Sequence, residues 1–144
     1  MKAVHGIRAL LLGGVISLFF AQASVAEDDL PAVQEQGAVR YLSGGIGIDE
    51  AQAMRAEARH YPLALTFALR TDGRNEFTSA VEVDVRKGGK TVFRGTSDGP
   101  YLFLDLPAGT YRVMAVSNGR EQTKTISWKT GEHKGVVFEW PAED

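Results

Sequence analysis

The clearest indication of the fold is the stretch Gly99-Pro100-Tyr101-Leu102-Phe103-Leu104-Asp105-Leu106-Pro107-Ala108-Gly109-Thr110-Tyr111-Arg112-Val113. Its run from Tyr101 to Leu106 has apolar residues at both parities, which predicts a strand covered on both faces. Leu106-Pro107-Ala108-Gly109 predicts a turn, because proline fixes φ and glycine permits values that other residues avoid. Apolar Tyr111 and Val113 then recur at alternate positions, so the stretch predicts a β-arch or hairpin.

The pattern Gly-x-Tyr-x-Phe-x-x-Leu-Pro-Ala-Gly-Thr-Tyr-x-Val resembles the carboxypeptidase-regulatory-like domains of the transthyretin-like β-sandwiches. The likeness covers roughly residues 63–140, and residues 41–47 resemble the opening of small exported proteobacterial proteins of this type. In such domains a Leu-Pro-x-Gly-x-Tyr segment joins two core strands. The resemblance therefore implies structural roles for Gly99, Pro107 and Gly109, and it implies no reaction.

Residues 1–26 have the pattern of a secretory signal peptide. Lys2 and Arg8 precede an apolar run from Ala9 to Phe20, and Ser24-Val25-Ala26 is a small-x-small cleavage site. The run is shorter than the ~20 residues of a membrane span, so an uncleaved anchor is the less favoured alternative. We expect a soluble periplasmic or secreted protein, with no transmembrane segment after cleavage.

The mature chain predicts one domain. Acidic, aperiodic residues 27–37 indicate a flexible leader, residues 38–140 a single domain, and residues 141–144 a tail. About seven short strands at regular spacing favour a mainly β, seven-stranded antiparallel Greek-key β-sandwich, transthyretin-like (prealbumin-like) in type. One short N-terminal helix, at about residues 50–60, carries Ala51, Met54 and Ala58 on one side. We expect this stripe to pack on the sheet over the second apolar face of the Tyr101 strand.

Composition argues against several classes of function. Without Lys2 and Arg8, 14 basic residues face 18 acidic ones, a net charge of −4, and no basic run suggests nucleic-acid binding. The absence of cysteine excludes thiol catalysis, thiolate metal sites and disulfides. We therefore expect no cofactor, no bound metal and no catalytic residue.

The Gly-rich segment before the helix, residues 43–47, superficially resembles a phosphate-binding loop but lacks the Lys-Ser/Thr of a Walker motif. Asp49 is the expected helix N-cap, and with Glu50 it would repel an arriving anion. We predict a capped structural turn and no nucleotide binding.

Candidate chemistry in the mature chain is limited to two histidines and a few acids. His133 beside Glu132 is a weak metal-ligand pair, and His60 suits a helix C-terminus. Glu82 and Asp84 lie on the polar side of an alternating strand, where a solvated surface is favoured over a glycosidase pair. Asp105 interrupts an apolar region, and we interpret it as a hydrogen-bond acceptor for the following turn.

Aromatic residues have competing structural and ligand-binding interpretations. Tyr111 fits a tyrosine corner, in which the hydroxyl bonds to upstream backbone, with ligand stacking as the alternative. Trp128 and Trp140 share phase with core residues, which favours packing over carbohydrate stacking. Tyr101 and Phe103 are the candidate interaction surface.

Two functional hypotheses follow from the sequence. The first is an exported, non-enzymatic binding or structural module of the cell envelope, whose partner is a protein, an envelope polymer or a carbohydrate. The alternative is a small periplasmic hydrolase that uses Asp105 with His60 or His133. The hydroxyisourate hydrolases share the resembled fold, but their C-terminal Tyr-Arg-Gly-Ser is missing from this chain.

Overall fold

The computed structural model describes residues 29–142. The expected signal peptide, the start of the leader and the end of the tail lie outside these residues. In chain order the strands are β1 (Gln34–Gln36), β2 (Val39–Gly44), β3 (Leu63–Thr71), β4 (Arg74–Phe77), β5 (Glu82–Lys87), β6 (Lys90–Thr96), β7 (Tyr101–Asp105), β8 (Gly109–Ser117), β9 (Arg120–Trp128) and β10 (Lys134–Pro141). The predicted mainly β class is confirmed.

The strands form two sheets with a shared core. The larger has six strands in the order β1-β2-β7-β3-β10, with β4 also paired to β3, and the smaller has four in the order β6-β5-β8-β9. Alternate side chains of each sheet face the other and bury residues such as Phe67, Phe93, Val113 and Trp140. The arrangement is sandwich-like, with apolar side chains between the sheets.

Two features of the predicted sandwich were wrong. There are ten strands within residues 29–142 rather than seven, and one of them, β1, lies in the segment predicted to be a flexible leader. The pairing is also not wholly antiparallel, because β10 runs parallel to β3. Sequence alternation identifies a strand but carries no information about the direction of its neighbour, which explains the second difference.

The stretch from Gly99 to Val113 forms an arch between the sheets. It leaves the six-stranded sheet at the end of β7, turns at Pro107 and Ala108, and enters the four-stranded sheet as β8. The hydroxyl of Tyr111 donates a 2.6 Å hydrogen bond to the carbonyl oxygen of Pro107. The tyrosine-corner prediction is confirmed, and Tyr111 also stacks on Trp128. Both predicted core tryptophans are buried.

The helical segment covers part of the six-stranded sheet, as predicted. Helix α1 (Ile48–Glu57) continues into a 3-10 turn (Ala58–His60). Met54 is fully buried in a cluster with Leu42, Tyr101 and Phe103. Tyr101 and Phe103 are therefore wrong as an interaction surface, because the helix that the sequence predicted to cover them does so.

The predicted N-cap was also wrong. The helix begins at Ile48, one residue before Asp49, and its N-cap is Gly47, so Asp49 lies inside the first turn and makes no capping hydrogen bond. The Glu50 carboxylate instead accepts a 2.8 Å hydrogen bond from the backbone N–H of Gly45. Gly99 has the predicted structural role, since a Cβ there would collide with the backbone of Gly44.

No helix within residues 29–142 has the length and apolar character needed to cross a bilayer.

Candidate ligand-binding face

The outer face of the four-stranded sheet is polar and uncovered by any other element of residues 29–142. The registers between its strands place arginines and hydroxyl groups side by side. Its members, taken from alternate positions of the four strands, are Glu82, Asp84, Arg86, Thr91, Arg94, Thr96, Thr110, Arg112, Met114, Val116, Glu121, Thr123, Thr125 and Ser127. We call this set the arginine face.

Asp84 is the organising residue of the arginine face. The residue is only 8% exposed, although it lies on the polar side of β5. One oxygen accepts hydrogen bonds from Nε and Nη2 of Arg94 at 3.1 and 2.8 Å, and the other accepts from Nε of Arg86 at 3.1 Å. The predicted solvated surface was therefore wrong for Asp84, because two long guanidinium side chains fold over it.

The electrostatic state of this cluster follows from the same contacts. Burial raises the pKa of Asp84, but the hydrogen bonds and positive charges of Arg94 and Arg86 outweigh burial, and the net pKa lies below its ordinary value. Asp84 is thus a carboxylate at neutral pH and holds both guanidinium groups in fixed positions. Arg86 and Arg94 remain substantially exposed, so their other N–H groups face solvent.

A third arginine enlarges the positive region. Arg112 lies opposite Arg86 in the β5–β8 register, and its exposed side chain makes no ion pair with any residue between 29 and 142. Arg86, Arg94 and Arg112 outnumber the two acids beside them, Glu82 and Asp84, while the third acid of the face, Glu121, lies on β9 opposite Val116. The region around the three arginines is therefore locally positive, although the chain as a whole has a net charge of −2.

Three adjacent hollows give the arginine face its shape. Their volumes are about 420, 110 and 250 Å³, and Arg86 lines all three. Met114 and Val116 contribute apolar surface to the largest, and Thr110 and Thr125 contribute hydroxyls to the hollow at the opposite end. The shared lining makes an open trough across the sheet.

A second cleft, of about 480 Å³, lies at one end of the sandwich and brings together His60 and His133. Nδ1 of His133 lies 2.6 Å from the carbonyl oxygen of Tyr61, which can only accept, so Nδ1 carries the proton and Nε2 is free. His60 contacts Glu57 at 3.2 Å. Burial and the Glu57 charge raise the pKa of the Tyr61 hydroxyl, which stays protonated at neutral pH.

The acid of the alternative hydrolase hypothesis, Asp105, is not part of this cleft. Asp105 is exposed and absent from the cleft lining, and its carboxylate makes no hydrogen bond to the following turn or to any other described residue. Our interpretation of Asp105 as a turn acceptor was wrong. Within residues 29–142 no three histidine, aspartate or glutamate side chains converge as metal ligands.

Comparison with family models matches none of them to this chain, and no curated protein gives a significant match.

Sequence reasoning missed the arginine face. Asp84-x-Arg86 is visible as an acid and a base two residues apart on one strand face. The partner across the hairpin, Arg94, could not be assigned, because a bulge between Val85 and Arg86 shifts the register.

Proposed function

We propose that this chain is an exported, non-enzymatic binding module whose arginine face holds an anionic polysaccharide of the cell envelope. The observation that carries the proposal is the ordered Asp84–Arg86–Arg94 cluster beside the exposed Arg112. Fixed guanidinium groups bind carboxylates and phosphates through paired N–H donors, and little side-chain entropy is lost when the donors are already held. Export rests on the pattern of residues 1–26.

The remaining lining favours a carbohydrate over an acidic peptide. Apolar Met114 and Val116 can contact sugar ring faces, and the surrounding threonines can exchange hydrogen bonds with sugar hydroxyls. The trough is open along its length, which suits a polymer rather than an enclosed small molecule.

The fold type is part of the same proposal. We infer a Greek-key, transthyretin-like sandwich of the carboxypeptidase-regulatory-like kind. The arch from β7 to β8 and the Tyr111–Pro107 bond support it, since the Leu-Pro-x-Gly-x-Tyr segment joins two core strands in such domains.

The test is a titration of the purified protein with polygalacturonate, a polymer of carboxylated sugars, and with neutral dextran. We expect saturable binding to polygalacturonate alone, weaker at about 200 mM than at about 50 mM salt because exposed charges are screened. Arg112→Ala should weaken binding about fivefold or more. Arg40→Ala removes another exposed arginine, from β2 in the other sheet, and should leave affinity unchanged.

Two results would contradict this proposal. Equal loss of affinity in the Arg112→Ala and Arg40→Ala variants would mean that binding responds only to net charge. Equal affinity for poly-glutamate and polygalacturonate would remove the carbohydrate from the proposal.

The second candidate function is the small hydrolase, and its supporting observation is that His60 and His133 line one cleft. Glu132 also lines the cleft and takes the place of Asp105 as the acid of the proposed site. Chromogenic esters and phosphoesters test it. Turnover that His133→Ala abolishes, with thermal stability unchanged, would favour the hydrolase over the binding module.

A further inference from the structure

Strand β4 has a free edge. Its four residues, Arg74–Phe77, are all exposed, and their only strand partner among the described residues is β3. A free edge presents unpaired N–H and C=O groups to any strand that can align with it.

At two other edges of the sandwich, side chains of one sheet bond to the backbone of the other sheet. At one end the side-chain amide of Gln36 in β1 bonds both the N–H and the carbonyl of Arg94 in β6, at 2.8 and 2.6 Å. At the opposite end the amide of Gln122 in β9 donates to the carbonyl of Glu139 in β10. Within residues 29–142 no comparable side chain bonds to the outer edge of β4, so this edge differs from the others.

An apolar groove adjoins the free edge. Ile46, Ile48 and Phe77 are 63%, 77% and 58% exposed, and all three line a groove of about 510 Å³. Clustered exposed apolar side chains of this size mark an interaction surface more often than isolated ones do.

We propose that β4 pairs antiparallel with β4 of a second copy of this chain, about a two-fold axis at Asn75. Thr71 and Arg74 close the two-residue Asp72-Gly73 turn of the β3–β4 hairpin. Because hydrogen-bonded and non-hydrogen-bonded pairs alternate, the N–H and C=O of Asn75 and Phe77 face outward. Asn75 can therefore exchange both backbone bonds with its equivalent.

Charge complementarity selects a second copy as the occupant. Pairing about Asn75 places Arg74 of each copy directly opposite Glu76 of the other. Opposite charges on facing strand positions stabilise the pair, whereas like charges destabilise it. The sequence of β4 is thus complementary to itself, the property that a two-fold interface requires.

The same register engages the apolar groove. Phe77 lies opposite Gly73 of the second copy, so each hairpin turn rests against the groove mouth of the other. Two grooves are covered at once, and this adds apolar area that four paired residues alone do not supply.

Cysteine crosslinking tests the axis. The chain contains no cysteine, so Asn75→Cys introduces a single thiol. Facing residues of a hydrogen-bonded antiparallel pair are ~5.5 Å apart at Cα, within disulfide range. We expect a disulfide-linked dimer from Asn75→Cys under mild oxidation. The control is Thr123→Cys, on the exposed face of β9, which should stay monomeric.

Charge exchange tests the register in sedimentation equilibrium of the cysteine-free protein. Glu76→Arg should raise the dimer dissociation constant about tenfold or more, and the double exchange Arg74→Glu with Glu76→Arg should restore it. Thermal melts check that the variants fold.

Two results would overturn the proposal that a second copy of this chain pairs with β4. One is a chain that stays monomeric at about 1 mM, which leaves the edge to a strand of another protein. The other is a dimer whose dissociation constant is unchanged by Glu76→Arg.

Discussion

On one side of the sandwich, part of the outer face of the six-stranded sheet is apolar, and helix α1 covers Leu42, Tyr101 and Phe103 there. On the other side the four-stranded sheet presents Asp84 with its arginines to solvent. Burial explains the apolar side chains of the first face, because their transfer out of water stabilises the folded protein. The second face gains little stability from its exposed charges, and ligand binding is the role that we propose for their arrangement.

The covered face should show the largest loss on substitution. Met54→Ala removes a fully buried side chain between helix and sheet and should destabilise the protein by about 3 kcal/mol. Met114→Ala makes the same chemical change on the arginine face, where the side chain is half-buried, and should cost less than about 1 kcal/mol. Urea unfolding measures both. Equal losses would mean that the two faces are packed alike.

The arch that joins the two sheets gives the next largest effect. Tyr111→Phe leaves the Pro107 carbonyl without its partner and should cost about 1–2 kcal/mol. Tyr41→Phe removes an exposed tyrosine–glutamine bond and should be near neutral. If thermal unfolding cannot distinguish Tyr111→Phe from Tyr41→Phe, the tyrosine corner does not stabilise the arch.

Substitutions in the arginine face should change the pH dependence of the unfolding free energy more clearly than its value at neutral pH. The pKa of Asp84 is lowered on folding, so its ion pairs contribute fully above an ordinary aspartate pKa of about 4. The contribution is lost as the pH falls through the lower folded-state value. Because both arginines are exposed, Asp84→Asn should cost only about 1 kcal/mol at pH 7.

Unfolding as a function of pH checks this sign. The difference between wild type and Asp84→Asn should shrink as the pH falls below about 4. Glu82→Gln, an exposed acid on the same strand, provides the control and should match wild type throughout. A gap that widens in acid would mean that Asp84 has a raised pKa instead.

The start of the covering helix should show the smallest effect. Glu50→Ala removes the acceptor for the Gly45 N–H and should cost about 0.5–1 kcal/mol. Asp49→Ala changes only a charge near the helix dipole and should cost about 0.3 kcal/mol. The reverse order in thermal melts would restore Asp49 as the cap.

The covered face was predictable from the sequence, and the arginine face was not. Residues 101–106 are apolar on both faces of the strand, so each face had to be covered by another element. The Ala51–Met54–Ala58 stripe of the helix was available to cover the second face. No comparable sequence pattern predicted the burial of Asp84, because that burial depends on Arg94, which lies across a hairpin whose register is shifted by a bulge. The histidine cleft likewise joins segments about 70 residues apart, which local pattern cannot bring together.

The most direct test of the arginine face as the binding site is an amide chemical-shift titration of the labelled protein with polygalacturonate. We predict concentration-dependent shifts confined to the outward residues of β5, β6 and β8, centred on Arg86, Arg94 and Arg112, with helix α1 unaffected. Shifts centred on His60 and His133 would contradict the arginine face as the binding site and favour the cleft at the end of the sandwich.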